Sequence, residues 1–461
     1  MPNQSNEPAL ANRRQFVAGS VATALSANRV LGANERIGVG FIGFGLIGKQ
    51  HVVTFKTLPD IEIVAVAEAH KGRLDEAMGF IGGNAKGYRD FRKLLDDPRV
   101  QAVVIATPDH WHALMTMMAC AAGKDVYVEK PVSLFPAEGR WMLDVARKHK
   151  RIVQVGTQQR SGNHYAKARD LIHSGQIGKI VSVRMNAFRN ILPGFGNPPD
   201  CDPPTDLDWD MFLGPAPARK YNPNRGIYHF RWFWDYAGGQ MTNLGQHALD
   251  IVDWYLGPLA PRSITSIGGR YSLTGNGETP DTQDAIFDFG DWSAVWSHRE
   301  TAHGNTASSS IEFYGTRGCL SMSRKGFAVA PDRKVLPANA IPRFTGDHPV
   351  GGPEALKEEG PPKFWTEPLK DVTGDGQAQF TGHARNFLDC VKSRKEPISD
   401  LESGQRVSTL CHLANISLRL GRQLRWDAKT EAIVGDDEAA KMLARPYRSP
   451  WDKELERLRK G

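Results

Sequence analysis

The chain has 461 residues, more than one ordinary hydrophobic core holds, so two domains are expected. Apolar residues make up 40% and charged residues 24%, a globular balance that excludes a disordered or fibrous chain. The formal net charge of +7 comes from Lys and Arg scattered among acids; with no basic run and no nucleic-acid motif, it describes a solvated surface and no nucleic-acid partner.

The N-terminus comes first. Asn12-Arg13-Arg14-Gln15-Phe16 precedes VAGSVATALSA, an apolar run diluted by small residues, with cleavage-type residues near Ala27 and Ala33. Paired arginines before a short, weakly hydrophobic run form the pattern of a twin-arginine export signal over residues 1–33, which places the mature protein in the periplasm or otherwise outside the cytoplasm. The run is too short to span a bilayer, and no other stretch reaches transmembrane length. The five cysteines (Cys120, Cys201, Cys319, Cys390 and Cys411) are widely spaced and contain no C-x-x-C, which argues against a disulfide framework or a zinc knuckle.

From Ile37 the chain alternates apolar runs with amphipathic segments. Strands are expected at IGVGFI (37–42), IEIVAVA (61–67), VQAVVIA (100–106), 125–128 and 152–156, with a helix from Ile47 to Leu58. Continuous Val/Ile strands alternating with helices predict a parallel sheet covered on both faces, a Rossmann domain over residues 34–156. Past Gly156 the texture changes. A helix (163–174) and a strand (179–188) lead into a turn-rich aromatic stretch, 192–236, and then a helix from Gly239 to Leu256. Strand patterns at 263–269, 285–289, 294–299 and 309–314 predict a second α/β domain, 157–428, with a large, open, mainly antiparallel sheet. Residues 325–378 read as long loops, helices follow at 383–393 and 401–420, and residues 429–461 read as a polar tail.

Chemistry concentrates at three places. Gly43-Phe44-Gly45-Leu46-Ile47-Gly48 fits G-x-G-x-x-G between a strand and a helix, where glycines allow a tight turn and close approach of a pyrophosphate. Glu68 ends the next strand, placed to hold ribose hydroxyls. It favours NAD over NADP because a carboxylate repels a 2′-phosphate, although His70, Lys71 and Arg73 stand close enough to keep NADP open.

The fourth strand exits into Thr107-Pro108-Asp109-His110-Trp111-His112. The histidine pair lacks further ligands at metal spacing, so Thr107 and His112 are expected against a cofactor and no metal is expected. The next strand exits into Glu129-Lys130-Pro131. A lysine there, beside a cationic nicotinamide and partly desolvated, has a lowered pKa and can bond a substrate hydroxyl. Last, GGQMTNLGQHALD places Asn243, His247, Asp250 and Trp254 on one face of a regular helix.

Together GFIGFGLIG, ATPDHWHA, VEKP, GTQQR (156–160) and GGQMTNLGQHALD resemble, in order, the Gfo/Idh/MocA family of nicotinamide-dependent oxidoreductases over roughly residues 36–425. The resemblance implies a Rossmann domain followed by an α/β domain whose open sheet walls the substrate and often joins subunits into a homo-oligomer. It implies Lys130 as the catalytic lysine and His247 as the proton-transferring histidine, with Glu129 and Lys130 at the cofactor. The family's usual aspartate four residues before the histidine is Asn243 here. An amide cannot act as a base, so Asn243 is expected to orient substrate. Arg160, Tyr228 and Arg231 are candidate substrate contacts.

The function expected is hydride transfer between a sugar or polyol hydroxyl carbon and a tightly held nicotinamide cofactor. A redox-assisted NAD-dependent glycosidase and a non-catalytic sugar- or cofactor-binding module are the alternatives.

Overall fold

The computed structural model describes residues 36–304, 309–334 and 363–460, with the short pairs 344–345 and 348–349. The export pattern at 1–33 lies outside the described residues. Six parallel strands form the first sheet: β1 (Ile37–Ile42), β2 (Ile61–Ala67), β3 (Lys86–Tyr88), β4 (Ala102–Ile105), β5 (Asp125–Val128) and β6 (Val153–Val155), in the order β3-β2-β1-β4-β5-β6. Helices α1 (Leu46–Lys56), α2 (Lys71–Ile81), α3 (Phe91–Leu95), α4 (Asp109–Ala121) and α5 (Pro136–Lys148) connect them.

Every residue of β1, β4 and β5 is buried, which is why these strands are continuously apolar and do not alternate. Val39, Phe41, Val104 and Tyr127 belong to the core on one face; Ile42, Val103, Ile105 and Val126 belong to the core on the other. Strand order reverses between β1 and β4, which opens a crevice at the carboxyl ends of the strands.

After α6 (Asn163–His173), the second domain is built on a sheet of ten strands in the order β16-β13-β12-β11-β7-β10-β9-β8-β17-β18. They are β7 (Ile180–Phe188), β8 (Ser263–Gly269), β9 (Thr282–Asp288), β10 (Ser293–Arg299), β11 (Ser309–Gly315), β12 (Gly318–Ser323), β13 (Gly326–Pro331), β16 (Leu369–Thr373), β17 (Leu424–Asp427) and β18 (Ala432–Ile433), while β14 (Phe344–Thr345) pairs with β15 (His348–Pro349) apart. The sheet is mixed: β7 runs parallel to β10, and the other pairs are antiparallel.

The turn-rich stretch holds α7 (Trp209–Leu213), and it ends in α8 (Gln246–Leu256). α9 (Gly376–Ser393) starts earlier than the expected 383, because the Asp375 carboxylate caps it, accepting from the amides of Gln377 and Ala378. α10 (Leu401–Leu420) lays Val407, Leu410 and Leu413 into the same core as Ile264, Phe287 and Trp296. Part of the 325–378 stretch expected as loop is sheet, namely β13 and β16.

The region expected as a polar tail is folded. It contains α11 (Asp437–Ala440) and α12 (Trp451–Lys460), and α12 returns to the nucleotide domain, burying Trp451, Leu455 and Leu458. Trp451 meets Trp111 edge-on at 4.9 Å and stacks on Phe91 at 6.2 Å.

Candidate active site

The glycine turn divides its work among three residues. Gly43 has φ +91°, and a Cβ there would lie 2.7 Å from the Ala106 carbonyl oxygen, so the left-handed backbone and the neighbouring β4 exit both require glycine. A Cβ on Gly48 would fall 2.3 Å from Gly43 O, so this glycine lets α1 press against the turn. Gly45 is different: a Cβ there would meet only Arg73 Nη1, at 3.7 Å. The space over Gly45, at the start of α1, is open, and that helix has no acid in its first turn. Those properties suit a pyrophosphate.

The Glu68 carboxylate accepts the Phe44 amide at 2.8 Å and the His70 amide at 3.0 Å, which fixes it at the rim. Gly43, Gly45, Leu46, Ile47, Glu68 and Thr107 line one cleft together with Tyr228 and Arg231 from the second domain. Phe44 is turned into the core. The residues present therefore fit a nicotinamide dinucleotide.

The cleft has a lid from the second domain that the sequence reading does not contain. Lys71 N donates to Asp206 O (2.7 Å) and Asp208 N to Ala69 O (3.1 Å), which pins the chain before α7 onto the β2 exit. α7 is held by Trp111 Nε1, donating to Phe212 O (3.1 Å), and by His110 Nε2, also at Phe212 O (2.9 Å). Burial pushes the His110 ring down to about 3. Arg448, just before α12, then grips Asp210 at 2.5 Å and Gly214 O at 2.9 Å.

His112 is a fastener. Nδ1 lies 2.6 Å from Pro131 O and Nε2 lies 2.9 Å from Thr107 O, joining the exits of β4 and β5. Both ring nitrogens are thus engaged by protein, so its expected cofactor contact is not through them. Among the described residues there is no cluster of three or more potential metal ligands.

Glu129, expected at the cofactor, points its carboxylate inward. Oε1 meets His51 Nε2 and Gln158 Nε2, both at 2.7 Å, and a Cβ on Gly156 would come within 2.6 Å of that oxygen. Burial would raise this carboxyl, yet the His51 hydrogen bond and the nearby Lys130 and His112 hold it below its ordinary value. Glu129 is therefore an ionised floor beneath Lys130.

Lys130 stands two residues past β5 and is joined to Pro131 by a cis peptide bond. Its Nζ donates to the backbone oxygen of Asn243 at 2.7 Å and to Asn243 Oδ1 at 3.1 Å. Desolvation pushes the ammonium down to about 8; Arg231 and Arg324 add to the fall, against Glu129 and Asp109.

The helix carrying Asn243 and His247 is not regular. Met241–Gly245 is a π-turn, a form common at functional sites, and the α-helix begins only at Gln246. The expected four-residue stripe is broken as a result. Asn243 faces Lys130, whereas Asp250 faces Arg160. Burial, Lys130 and Arg324 keep the His247 ring well below its ordinary value, so it is neutral at working pH and able to accept a proton. Its Nδ1 is buried with no hydrogen-bond partner among the described residues.

Arg160, a candidate substrate contact, is instead engaged by carboxylates of the protein. It is buried, with Nε donating to both Asp250 carboxylate oxygens at 3.0 Å and Nη2 lying 3.5 Å from Asp253. Tyr228 is exposed at the cleft, and Arg231 lies over its ring at 4.9 Å while donating to its carbonyl oxygen at 3.0 Å.

Sequence reasoning missed Arg324, at the turn between β12 and β13. The Gln159 amide, oriented to satisfy both of its ends, donates to His247 O at 3.2 Å and accepts from Arg324 Nε at 3.2 Å. No motif marks a single arginine so distant in sequence.

Three family models match: "Oxidoreductase family, NAD-binding Rossmann fold" over residues 37–157, "Oxidoreductase family, C-terminal alpha/beta domain" over 164–264 and 374–453, and "GFO/IDH/MocA C-terminal domain" over 216–321. The inositol 2-dehydrogenase of Salmonella typhimurium is 32% identical over 162 residues, 34% of this chain and 48% of that protein. The chain thus spans about half the length of the curated relatives it matches at that level.

The levoglucosan dehydrogenase of Pseudarthrobacter phenanthrenivorans is 26% identical over 315 residues, 62% of this chain and 73% of that protein. A solved levoglucosan dehydrogenase, in complex with NADH and L-sorbose, shares the fold with a TM-score of 0.64 at 18% identity, covering 85% of this chain and 99% of the other. The motifs, the two-domain architecture and the matched models agree: the chain belongs to the Gfo/Idh/MocA oxidoreductase family.

Proposed function

We propose that this protein is a nicotinamide-dependent oxidoreductase acting on a hydroxyl-bearing carbon of a sugar or related polyol. The observation that carries the reading is the meeting of Lys130 with the Asn243–His247 turn at the sheet edge that also holds the glycine cradle. Gly43, Gly45, Gly48, Glu68 and Thr107 would hold the dinucleotide, which supplies the hydride acceptor when bound.

The chain's own part is proton handling. His247, neutral and desolvated, takes the hydroxyl proton, and the Lys130 ammonium holds the oxygen as negative charge grows on it. The exposed Tyr228 ring offers an apolar surface in the same cleft as the glycine turn. Inositol and levoglucosan dehydrogenases among the relatives support a polyhydroxylated ring as substrate.

Glu68 supports NAD; Arg73, Arg89 and His70 line the same cleft and keep NADP in the comparison. The export pattern at 1–33 and the double fastening of the lid by Asp206–Asp208 and Arg448 support an exported enzyme that keeps its cofactor. The outer face of the ten-stranded sheet exposes Ile267 and Ile286, 70% and 49% accessible, which supports a homo-oligomer through that sheet.

The test is a panel of sugars, polyols and aryl glycosides read at 340 nm with NAD and with NADP. Reduced dinucleotide formed with a sugar or polyol is the expected result. Aglycone released without net reduction would replace the reading with a redox-assisted glycosidase. A protein that binds neither dinucleotide would end it.

A further inference from the structure

Asn243 presents an amide to Lys130, and an amide can turn either end. Its orientation is settled further in. Asn243 Nδ2 donates to Gln240 Oε1 at 3.0 Å, and Gln240 Nε2 donates to Glu300 Oε1 at 3.0 Å. Glu300 is only 1% exposed and also receives Trp232 Nε1 on Oε2 at 2.7 Å and the Arg189 guanidinium on Oε1, with Nε at 3.0 Å. Both Glu300 oxygens already accept from donor-only groups, the guanidinium and the indole, so Gln240 offers it nitrogen. Gln240 then offers oxygen to Asn243, and Asn243 offers oxygen to Lys130.

We propose that Glu300 and Gln240 are positioning residues that lock the Asn243 amide with its oxygen toward Lys130. The inference rests on the catalytic role proposed above for Lys130. With the backbone oxygen of Asn243 also engaged, two of the three ammonium protons are held by fixed acceptors and the third is left for a substrate oxygen. The relay gives a neutral amide the acceptor behaviour of an aspartate without putting a carboxylate against the lysine. The other charged or titratable groups acting on Lys130 and its neighbour are Glu129, Asp109, Arg231, Arg324 and His247. None of them bonds the Asn243 amide.

The test reads the titration of Lys130 directly and needs no substrate. Acylation of Lys130 relative to surface lysines is followed against pH by peptide mass spectrometry in the parent, Gln240→Met, Asn243→Ala and the double variant. Gln240→Met frees the amide to turn its nitrogen to Lys130, so the midpoint should fall by about one pH unit, the scale of a lost hydrogen bond to a charged group. In the Asn243→Ala background the same substitution should add nothing, because the relay has no end to act on.

A midpoint that Gln240→Met leaves unmoved, or moves equally in both backgrounds, overturns the proposal. Should Gln240→Met not fold, Glu300→Gln replaces it, since a side-chain amide no longer dictates which end Gln240 must offer; the same fall, absent without Asn243, is expected. Loss of turnover in Lys130→Ala tests the catalytic reading separately, so the two fail independently.

Discussion

Two cations packed against the same helical segment are treated in opposite ways. Arg160 is matched by Asp250 and Asp253, and Asp253 is further paired with Arg406 at 2.8 Å. The Lys130 ammonium bonds only amide oxygens, while Oε1 of the neighbouring Glu129 is taken by His51 and Gln158. The first arrangement fixes a charge for good and joins α8, α10 and the turn at Gln158–Ser161. The second leaves a charge under-compensated, so its proton is available near working pH. One cation ties elements of the second domain together; the other is the one proposed to carry chemistry.

The largest effect should come from removing the under-compensated side. Lys130→Ala and His247→Ala should each lower kcat by about a hundredfold or more, the scale of general acid–base groups, with dinucleotide affinity within a few-fold of the parent. Titration calorimetry beside steady-state rates checks both halves. Either variant retaining near-parent turnover takes that residue out of the mechanism.

The compensated side should break differently. Asp250→Ala leaves Arg160 buried with only the more distant Asp253, so stability should fall by about 3 kcal/mol, the cost of halving a buried pair. Urea unfolding reads this. If Arg160 instead touched substrate, Asp250→Ala would move KM and leave the unfolding midpoint in place.

The nucleotide half of the molecule was legible because its strands are buried on both faces and its turn must be glycine. The second half was legible in class and poorly in detail. The regular-helix reading of GGQMTNLGQHALD put Asn243 in register with His247 and Asp250, whereas the π-turn at Met241–Gly245 separates Asn243 from the regular helix that carries the other two; no residue type marks a π-turn. GQAQFTG lacks an apolar period, so the start of α9 was hidden until Asp375 was seen to cap it. The tail did carry a signal: Trp451, Leu455 and Leu458 stand at helical spacing among charges, and the polar composition masked it. Arg324 and Glu300 reach the site from the ends of strands far along the chain. Only register could place them.

The cradle offers a sharper contrast within one motif. Gly45→Asp would put an anion in the open space over the start of α1, and dinucleotide affinity should drop by at least about tenfold, since a unit charge near a phosphate is worth more than 1 kcal/mol at partial burial. Gly43→Ala should instead destabilise the fold, because its Cβ meets the Ala106 carbonyl and its φ is left-handed. Cofactor titration and thermal melting of the two variants should separate cleanly. Equal cofactor binding in Gly45→Asp would move the pyrophosphate elsewhere.

The smallest effect is also the most diagnostic for Lys130. If the ammonium form holds the substrate oxygen while neutral His247 takes the proton, kcat/KM for oxidation should be level from mildly acidic pH up to about 8 and fall above it, as Lys130 loses its proton. Asn243→Asp would place a carboxylate on Lys130, stabilise the ammonium and carry the falling limb to higher pH. Its rate at neutral pH should change only a few-fold, because Lys130 is already protonated there. The sign is what matters. A limb that rises through pH 8 would mean that neutral Lys130 is the base, and Asn243→Asp would then slow the enzyme at neutral pH by keeping the proton on it. Rate profiles of the parent and Asn243→Asp across pH 6 to 10 decide between these two divisions of labour, and with them whether leaving Lys130 under-compensated serves to keep a proton in place or to release one.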